Sequence, residues 1–205
     1  MLPANSYCRE ASARCRNVLI LVAVFAVSGC FSEKTWNVED ITGHLPDLSF
    51  SLTSDQESPV TATTYKGYIL LMYFGFTKCQ AECPISMARL ARVTALLERD
   101  ADHVRILFVT LDPRHDSPSV LHRYLAQFDP EHAIGLTGTI SEIEGLAKRY
   151  RTAYRPRSKI GDASVTHGDA IYVFDSQGRA RLVAMSSAPD ENLADDVRRL
   201  LGAEN

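Results

Sequence analysis

Cys79 and Cys83 stand four positions apart in Cys79-Gln80-Ala81-Glu82-Cys83-Pro84, with three residues between them. A thiol pair at this spacing can be a structural disulfide, a dithiol that exchanges with other disulfides, or two thiolate ligands for a soft metal. On a helix, residues four apart share a face with Cβ atoms ~5–6 Å apart. Pro84 lacks an amide donor and pushes Cys83 away from helical angles, so the pair can also form the turn ahead of a helix. The sulfurs face one another in both geometries. Thiolate is the form that attacks disulfides and binds metal, and a helix N-terminus with Lys78 nearby favours it. A bridge over so short a loop constrains the unfolded chain little, which weighs against a purely structural disulfide.

The elements around the pair have to hold it in place. Tyr68–Phe74 is apolar on both faces, as a central buried strand is, and Met87, Leu90, Val93 and Leu97 mark one side of a following helix. Val104–Val109 is a second apolar strand, so the order strand–helix–strand predicts a parallel βαβ unit. Ser117 with Pro118, and Thr139 with Glu142, have the spacing of helix starts. Ala170–Phe174 and Ala180–Ala184 flank the turn Asp175–Gly178 and read as a hairpin. Leu193, Val197 and Leu200 mark a last helix. His44–Leu52 alternates with the period of a strand, and Thr61–Gly67 is turn-like. The expected fold is α/β and thioredoxin-like, with a central mixed sheet flanked by helices. Two thiolates are too few for most metals. His167 stands just before the strand Ala170–Phe174, which in a thioredoxin-like fold faces the cysteine turn across the sheet end. It is the candidate third ligand, and the alternative is a surface histidine without metal.

The 205 residues carry a net charge of −3 and 45% hydrophobic content, an ordinary globular balance with nothing that points to nucleic acid. Arg9, Arg14 and Arg16 precede the apolar run Val18–Val27, the build of an export signal and short for a membrane span. Val27-Ser28-Gly29-Cys30 resembles a bacterial lipobox, which implies cleavage before Cys30 and acylation of its sulfur; the alternative is an uncleaved signal anchor. The expected organisation is a signal peptide over 1–29, a lipidated N-terminus and tether over 30–43, with Ser32–Asp40 polar, and a domain over 44–205. The expected location is a bacterial cell envelope, lipid-anchored and facing the periplasm or the outside.

Three stretches together carry a family resemblance: Gly75-Phe76-Thr77-Lys78-Cys79-Gln80-Ala81-Glu82-Cys83-Pro84, Leu111-Asp112-Pro113-Arg114-His115-Asp116-Ser117-Pro118, and His167 before its strand. With them the chain resembles the Sco (SCO/SenC) family of copper-binding, membrane-tethered thioredoxin-like proteins, roughly from Leu45 to Leu201. The resemblance implies copper, as Cu(I) or Cu(II), held by Cys79, Cys83 and His167. It also implies a metallochaperone that matures the dinuclear copper site of cytochrome c oxidase, with an oxidase subunit as the copper acceptor. Gln80 stands where the family usually has proline, and Thr166 where it often has an acidic residue. Neither departure removes a ligand, and both bear on affinity, potential and partner.

Two enzyme readings stand beside delivery. In one, Cys79 and Cys83 form a redox-active pair that keeps a partner's copper-ligand cysteines reduced. In the other, suggested by Phe76-Thr77-Lys78-Cys79, the protein is a thiol peroxidase. His44, His103, His115, His122 and His132 show no partner pattern and read as surface or loop histidines. Asp112 and Asp116 read as turn and cap residues, and the basic stretch Arg149–Lys159 as a solvated face.

Overall fold

The computed structural model describes residues 35–152 and 168–203. The sheet is built around β4 (Ile69–Gly75), in which every residue is buried. A strand apolar on both faces needs partners at both edges and cover on both sides. β5 (Val104–Thr110) pairs with it in parallel along its whole length, from Ile69↔Val104 to Gly75↔Thr110. β7 (Ile171–Phe174) pairs with the other edge antiparallel. Beyond β5 lie β6 (Ala133–Thr137), parallel, and the antiparallel hairpin of β2 (Ser51–Ser54) and β3 (Pro59–Thr61). Beyond β7 lie β8 (Ala180–Ala184) and the short β1 (Glu39–Asp40). The mixed order is β1-β8-β7-β4-β5-β6-β2-β3.

Alternate strand residues feed two cores. Ile69, Leu71 and Tyr73 of β4, with Ile106 and Phe108 of β5, face α1 (Glu82–Leu97), α2 (Pro118–Leu125) and α4 (Asp190–Ala203). Leu70, Met72, Phe74, Leu107 and Val109 face the opposite way, toward α3 (Ile140–Arg149) and Tyr150. The expected stripe Met87, Leu90, Val93 and Leu97 is the buried face of α1. Each such side chain contributes about 1.5–3 kcal/mol of burial.

The helix starts are those expected. The Ser117 side chain accepts from the Val120 amide, with Pro118 at the first helical position. Thr139 and Glu142 form a reciprocal capping box. Gly178, at φ +79°, closes the β7–β8 turn by donating to Asp175 O at 2.8 Å.

The N-terminal part of the domain departs from expectation. The described end of the polar segment read as tether, residues 36–40, is docked: Glu39 and Asp40 pair with Val183 and Leu182 of β8. The buried carboxyl of Asp196 accepts from the amides of Asn37 and Val38 at 2.7 and 2.9 Å and from the Asn37 side chain at 3.0 Å. The Arg199 guanidinium lies 4.1 Å above the Trp36 ring. Of the alternating stretch His44–Leu52, only Ser51 and Leu52 are strand; the Leu48 amide donates to Gly178 O at 2.7 Å.

Candidate metal centre

Topology brings the chemically interesting residues to one end of the sheet. β4 and β5 run in parallel, so the chain leaves Gly75 and Thr110 side by side, and the Leu111 amide donates to Gly75 O at 2.7 Å. Because β7 is antiparallel to β4, with Ile171 opposite Tyr73, the residues ahead of β7 arrive at this same end. Ala184, opposite Ile171, delivers Met185 there as well. The cysteine turn, the Leu111–Ser117 loop and the chain at Gly168 therefore meet at one edge.

The cysteine turn lies on an aromatic floor. A Cβ on Gly75 would come within 2.8 Å of Phe108 Cε2 and 3.0 Å of Tyr73 Cε1, so only glycine lets the backbone pass this close to those rings. The floor continues from Phe108 to Tyr124 at 5.5 Å between ring centroids and on to Phe128 at 5.2 Å. Cys83 sits in the first turn of α1, with 0% of its surface exposed, and Cys79 is half-buried ahead of the helix. Both carry thiols rather than a shared disulfide, and the Cys83 amide donates to Cys79 Sγ at 3.4 Å.

The expectation that the helix N-terminus would favour thiolate at both cysteines is corrected for Cys83. Burial pushes its thiol up to about 12, and the adjacent Cys79 thiol adds to the effect; the Phe76 amide pulls the other way without winning. Cys83 therefore rests as a neutral thiol. A soft cation that binds sulfur displaces such a proton, so metal binding here is coupled to proton release. The donor set fits a soft metal, since thiolates select Cu(I) and sulfur–imidazole mixtures also accept Cu(II).

Asp116 is more than a turn residue. Its carboxyl group is fully buried and accepts from the Thr77 amide at 3.0 Å, the Thr77 hydroxyl at 2.5 Å and the Thr110 hydroxyl at 2.6 Å. The Thr110 hydroxyl in turn accepts from the Asp112 amide at 2.9 Å. This clamp fixes Thr77, two residues before Cys79, to the end of β5. The helix α1 is fixed from its other side. Arg89, 5% exposed, donates to Asp190 at 2.8 Å, to Met185 O at 2.8 Å and to Ala188 O at 2.6 Å.

Three histidines read as unpartnered from sequence have carboxyl partners. His115 Nδ1 lies 2.8 Å from Asp112, His132 Nδ1 2.9 Å from Asp129, and His122 Nδ1 3.2 Å from Asp55. The spacing Asp-x-x-His at 112/115 and 129/132 was the available signal. His132 is a packing residue, because Asp129 also accepts from Thr94 of α1 at 2.6 Å. His167, Cys30 and the basic stretch beyond Thr152 lie outside the described residues. Among the described residues, no three His, Cys, Asp or Glu side chains converge as a metal site, and no helix is long and apolar enough to cross a membrane.

The family model described as SCO1/SenC matches residues 41–202. The mouse mitochondrial protein SCO2 homolog is 32% identical over 158 residues, covering 75% of this chain and 62% of its own length. The chain thus spans less than two thirds of that relative. A structure of Bradyrhizobium japonicum ScoI with copper bound shares 33% identity at a TM-score of 0.67, over 76% of this chain and 99% of that one. A copper-bound crystal structure of yeast Sco1 shares 28% identity at a TM-score of 0.69, over 78% and 90%.

Proposed function

The chain belongs to the SCO1/SenC family, and from that premise we propose that it carries copper as cargo between Cys79, Cys83 and His167 and hands it to an acceptor protein. The acceptor that the family resemblance implies is the dinuclear copper site of cytochrome c oxidase. The observation that carries this reading is the pair of adjacent sulfurs at one sheet end, one half-exposed and one fully buried. Copper bound in the Bradyrhizobium and yeast relatives supports the cargo. The return of the described chain at Gly168, on the edge of the sheet that bears the cysteine turn, supports His167 as third ligand.

The residues divide the work. Cys79, reachable from solvent, is the point of entry and exit for cargo. Cys83 gives up its proton on loading, and the Phe76 amide stabilises the resulting sulfur anion. Oxidation of the two thiols to a disulfide releases two protons and two electrons and removes two ligands together, so loading is coupled to thiol redox state. The export signal over 1–29 directs the chain to the membrane and is cleaved before Cys30, and acylation of Cys30 tethers the domain to a membrane of a bacterial envelope; acyl chains bind at about 0.8 kcal/mol per buried methylene.

The unequal exposure of the two thiols favours one second reading, a dithiol reductase. Cys79 attacks a partner disulfide, a mixed disulfide forms, and Cys83 displaces the partner's thiol, leaving a Cys79–Cys83 disulfide while two electrons and two protons pass to the partner. His167→Ala separates the two. Delivery expects at least tenfold weaker copper binding with disulfide reduction retained only at its low basal rate. Unchanged copper affinity in His167→Ala overturns that ligand assignment, and rapid reduction of a target disulfide by the variant favours the reductase.

A further inference from the structure

We propose that the cavity between the end of β2, the start of β6 and the last turn of α2 binds a short aliphatic amine, with the ammonium head on the Asp55 carboxylate and the stem along Leu125 and Ile134. The site stands apart from the copper reading. β6 runs parallel to β5 and begins at Ala133, opposite Ile106, so the cavity lies at the other end of the sheet from the cysteine turn. Its volume is about 310 Å³. That is the small end of the roughly 300–1,000 Å³ range of ligand pockets. Gly135 lets its walls approach: a Cβ there would lie 2.7 Å from Leu121 Cβ and 3.2 Å from Asp55 Cβ, so only glycine lets α2 and Asp55 close over the strand.

Asp55 is the buried carboxyl group that the described residues serve least. Its side chain is 5% exposed. Elsewhere in the fold a buried aspartate is well supplied. Asp116 holds three donors, and Asp129, Asp175 and Asp196 hold four each. Asp55 has only His122 Nδ1, 3.2 Å from Oδ2, which is long for a charged pair. The same Nδ1 lies 3.2 Å from Gln56 Nε2, and one ring nitrogen cannot donate to a carboxylate and accept from an amide at once. Oδ1 has no hydrogen-bond partner among the described residues. Tyr65, 6% exposed, lines the same cavity, and its hydroxyl also has no partner among the described residues. The Asp55 charge reaches that phenol. A phenylalanine would serve the packing, so the hydroxyl and the carboxylate together point to a ligand that brings several N–H donors. An ammonium head brings three. Glu131 adds a second carboxyl group to the wall, and among the described lining residues there is no Lys or Arg, so the ligand is a cation. Among the described residues no three His, Cys, Asp or Glu side chains converge as a metal site, so the cation is organic.

The probe is n-butylamine at pH 8.0, titrated into the isotope-labelled protein and followed by the amide signals in NMR spectra. The neutral analogue n-butanol is titrated in parallel. The expected result is saturable movement of the Asp55, Gln56 and Gly135 signals with the amine, and binding of the alcohol at least tenfold weaker. Asp55→Asn should bind the amine about tenfold less tightly and Tyr65→Phe severalfold less tightly, each with a dispersed spectrum that reports an intact fold. Should Asp55→Asn fail to fold, Tyr65→Phe and the alcohol decide. Nα-acetyl-lysine methylamide carries the same head on a peptide backbone. Binding equal to that of n-butylamine makes the source a partner protein's lysine, exclusion makes it a free amine, and both uphold the site. Signal movement that stays linear in amine concentration, or that spreads over the acidic surface, overturns the proposal and leaves the cavity to water. Equal binding of the alcohol overturns it as well, as does unchanged amine affinity in the folded variants.

Discussion

Truncating Asp116 should both destabilise the domain and loosen the cysteine turn. Its carboxyl group is fully buried and holds three donors, the Thr77 amide and hydroxyl and the Thr110 hydroxyl, at 3.0, 2.5 and 2.6 Å. Hydrogen bonds to a charged group contribute about 1.5–3 kcal/mol each, and a buried donor left alone costs about 1–3 kcal/mol. The bonds share one acceptor and do not add. The two hydroxyls can also turn toward other acceptors, whereas the Thr77 amide cannot. These limits place Asp116→Ala at about 3–5 kcal/mol, the range found when one member of a buried charged network is removed. Asp116→Asn keeps the shape and one carbonyl acceptor, and should cost less, about 1–3 kcal/mol. Urea unfolding measures both, and the midpoint should fall with the slope unchanged. Because Thr77 lies two residues before Cys79, the alanine variant should also react faster with a maleimide at Cys79 under native conditions. A loss below about 0.5 kcal/mol, the scale of an ordinary surface substitution, would refute the reasoning, since the clamp would then hold nothing.

Other substitutions test other joints. Arg89→Met removes the buried guanidinium that ties α1 to Asp190 and to the carbonyls of Met185 and Ala188, and should cost about 3–5 kcal/mol by urea unfolding. Asp196→Ala releases the amides of Asn37 and Val38; limited proteolysis should then cut between residues 35 and 41 in the variant and not in the unsubstituted protein. Tyr65 gives a pH dependence. Burial, with the Asp55 charge nearby, raises its phenol from 10.0 to about 12. The folded protein keeps this proton between those values while the unfolded chain releases it. The contribution is complete below pH 10 and is lost as pH rises to about 12, at most about 2–3 kcal/mol. Tyr65→Phe should therefore lose less stability than the unsubstituted protein between pH 9 and pH 11.5, and parallel losses would contradict the assignment.

Much of the fold is legible in the sequence because its signals are strong and local. Tyr68–Phe74 and Val104–Val109 are continuous apolar runs, and the Ser117 and Thr139 caps are set by residues three apart. What escaped has no such signal. β6 is five residues with Gly135 at its centre, and it is a strand because β5 pairs along it. Glu39 and Asp40 are charged and read as tether. Their place in the sheet is decided by Asp196, more than 150 positions away, which receives the Asn37 and Val38 amides. The site shows the same division. The Cys79–Cys83 spacing and its strand and helix could be read directly. The neutral state of Cys83 could not, because it follows from the depth of burial over Tyr73 and Phe108 rather than from its place at a helix start. Asp116 reads as a turn residue since its partner Thr77 lies 39 positions away.

The central claim is that the two sulfurs hold copper together and that thiol oxidation releases it. The most direct measurement is a copper titration of the domain, once with both cysteines reduced and once after oxidation to the Cys79–Cys83 disulfide, with metal analysis after gel filtration. The account predicts one copper per reduced chain with a thiolate charge-transfer band, and no retained copper in the oxidised chain. Equal copper retention in the two states would contradict it.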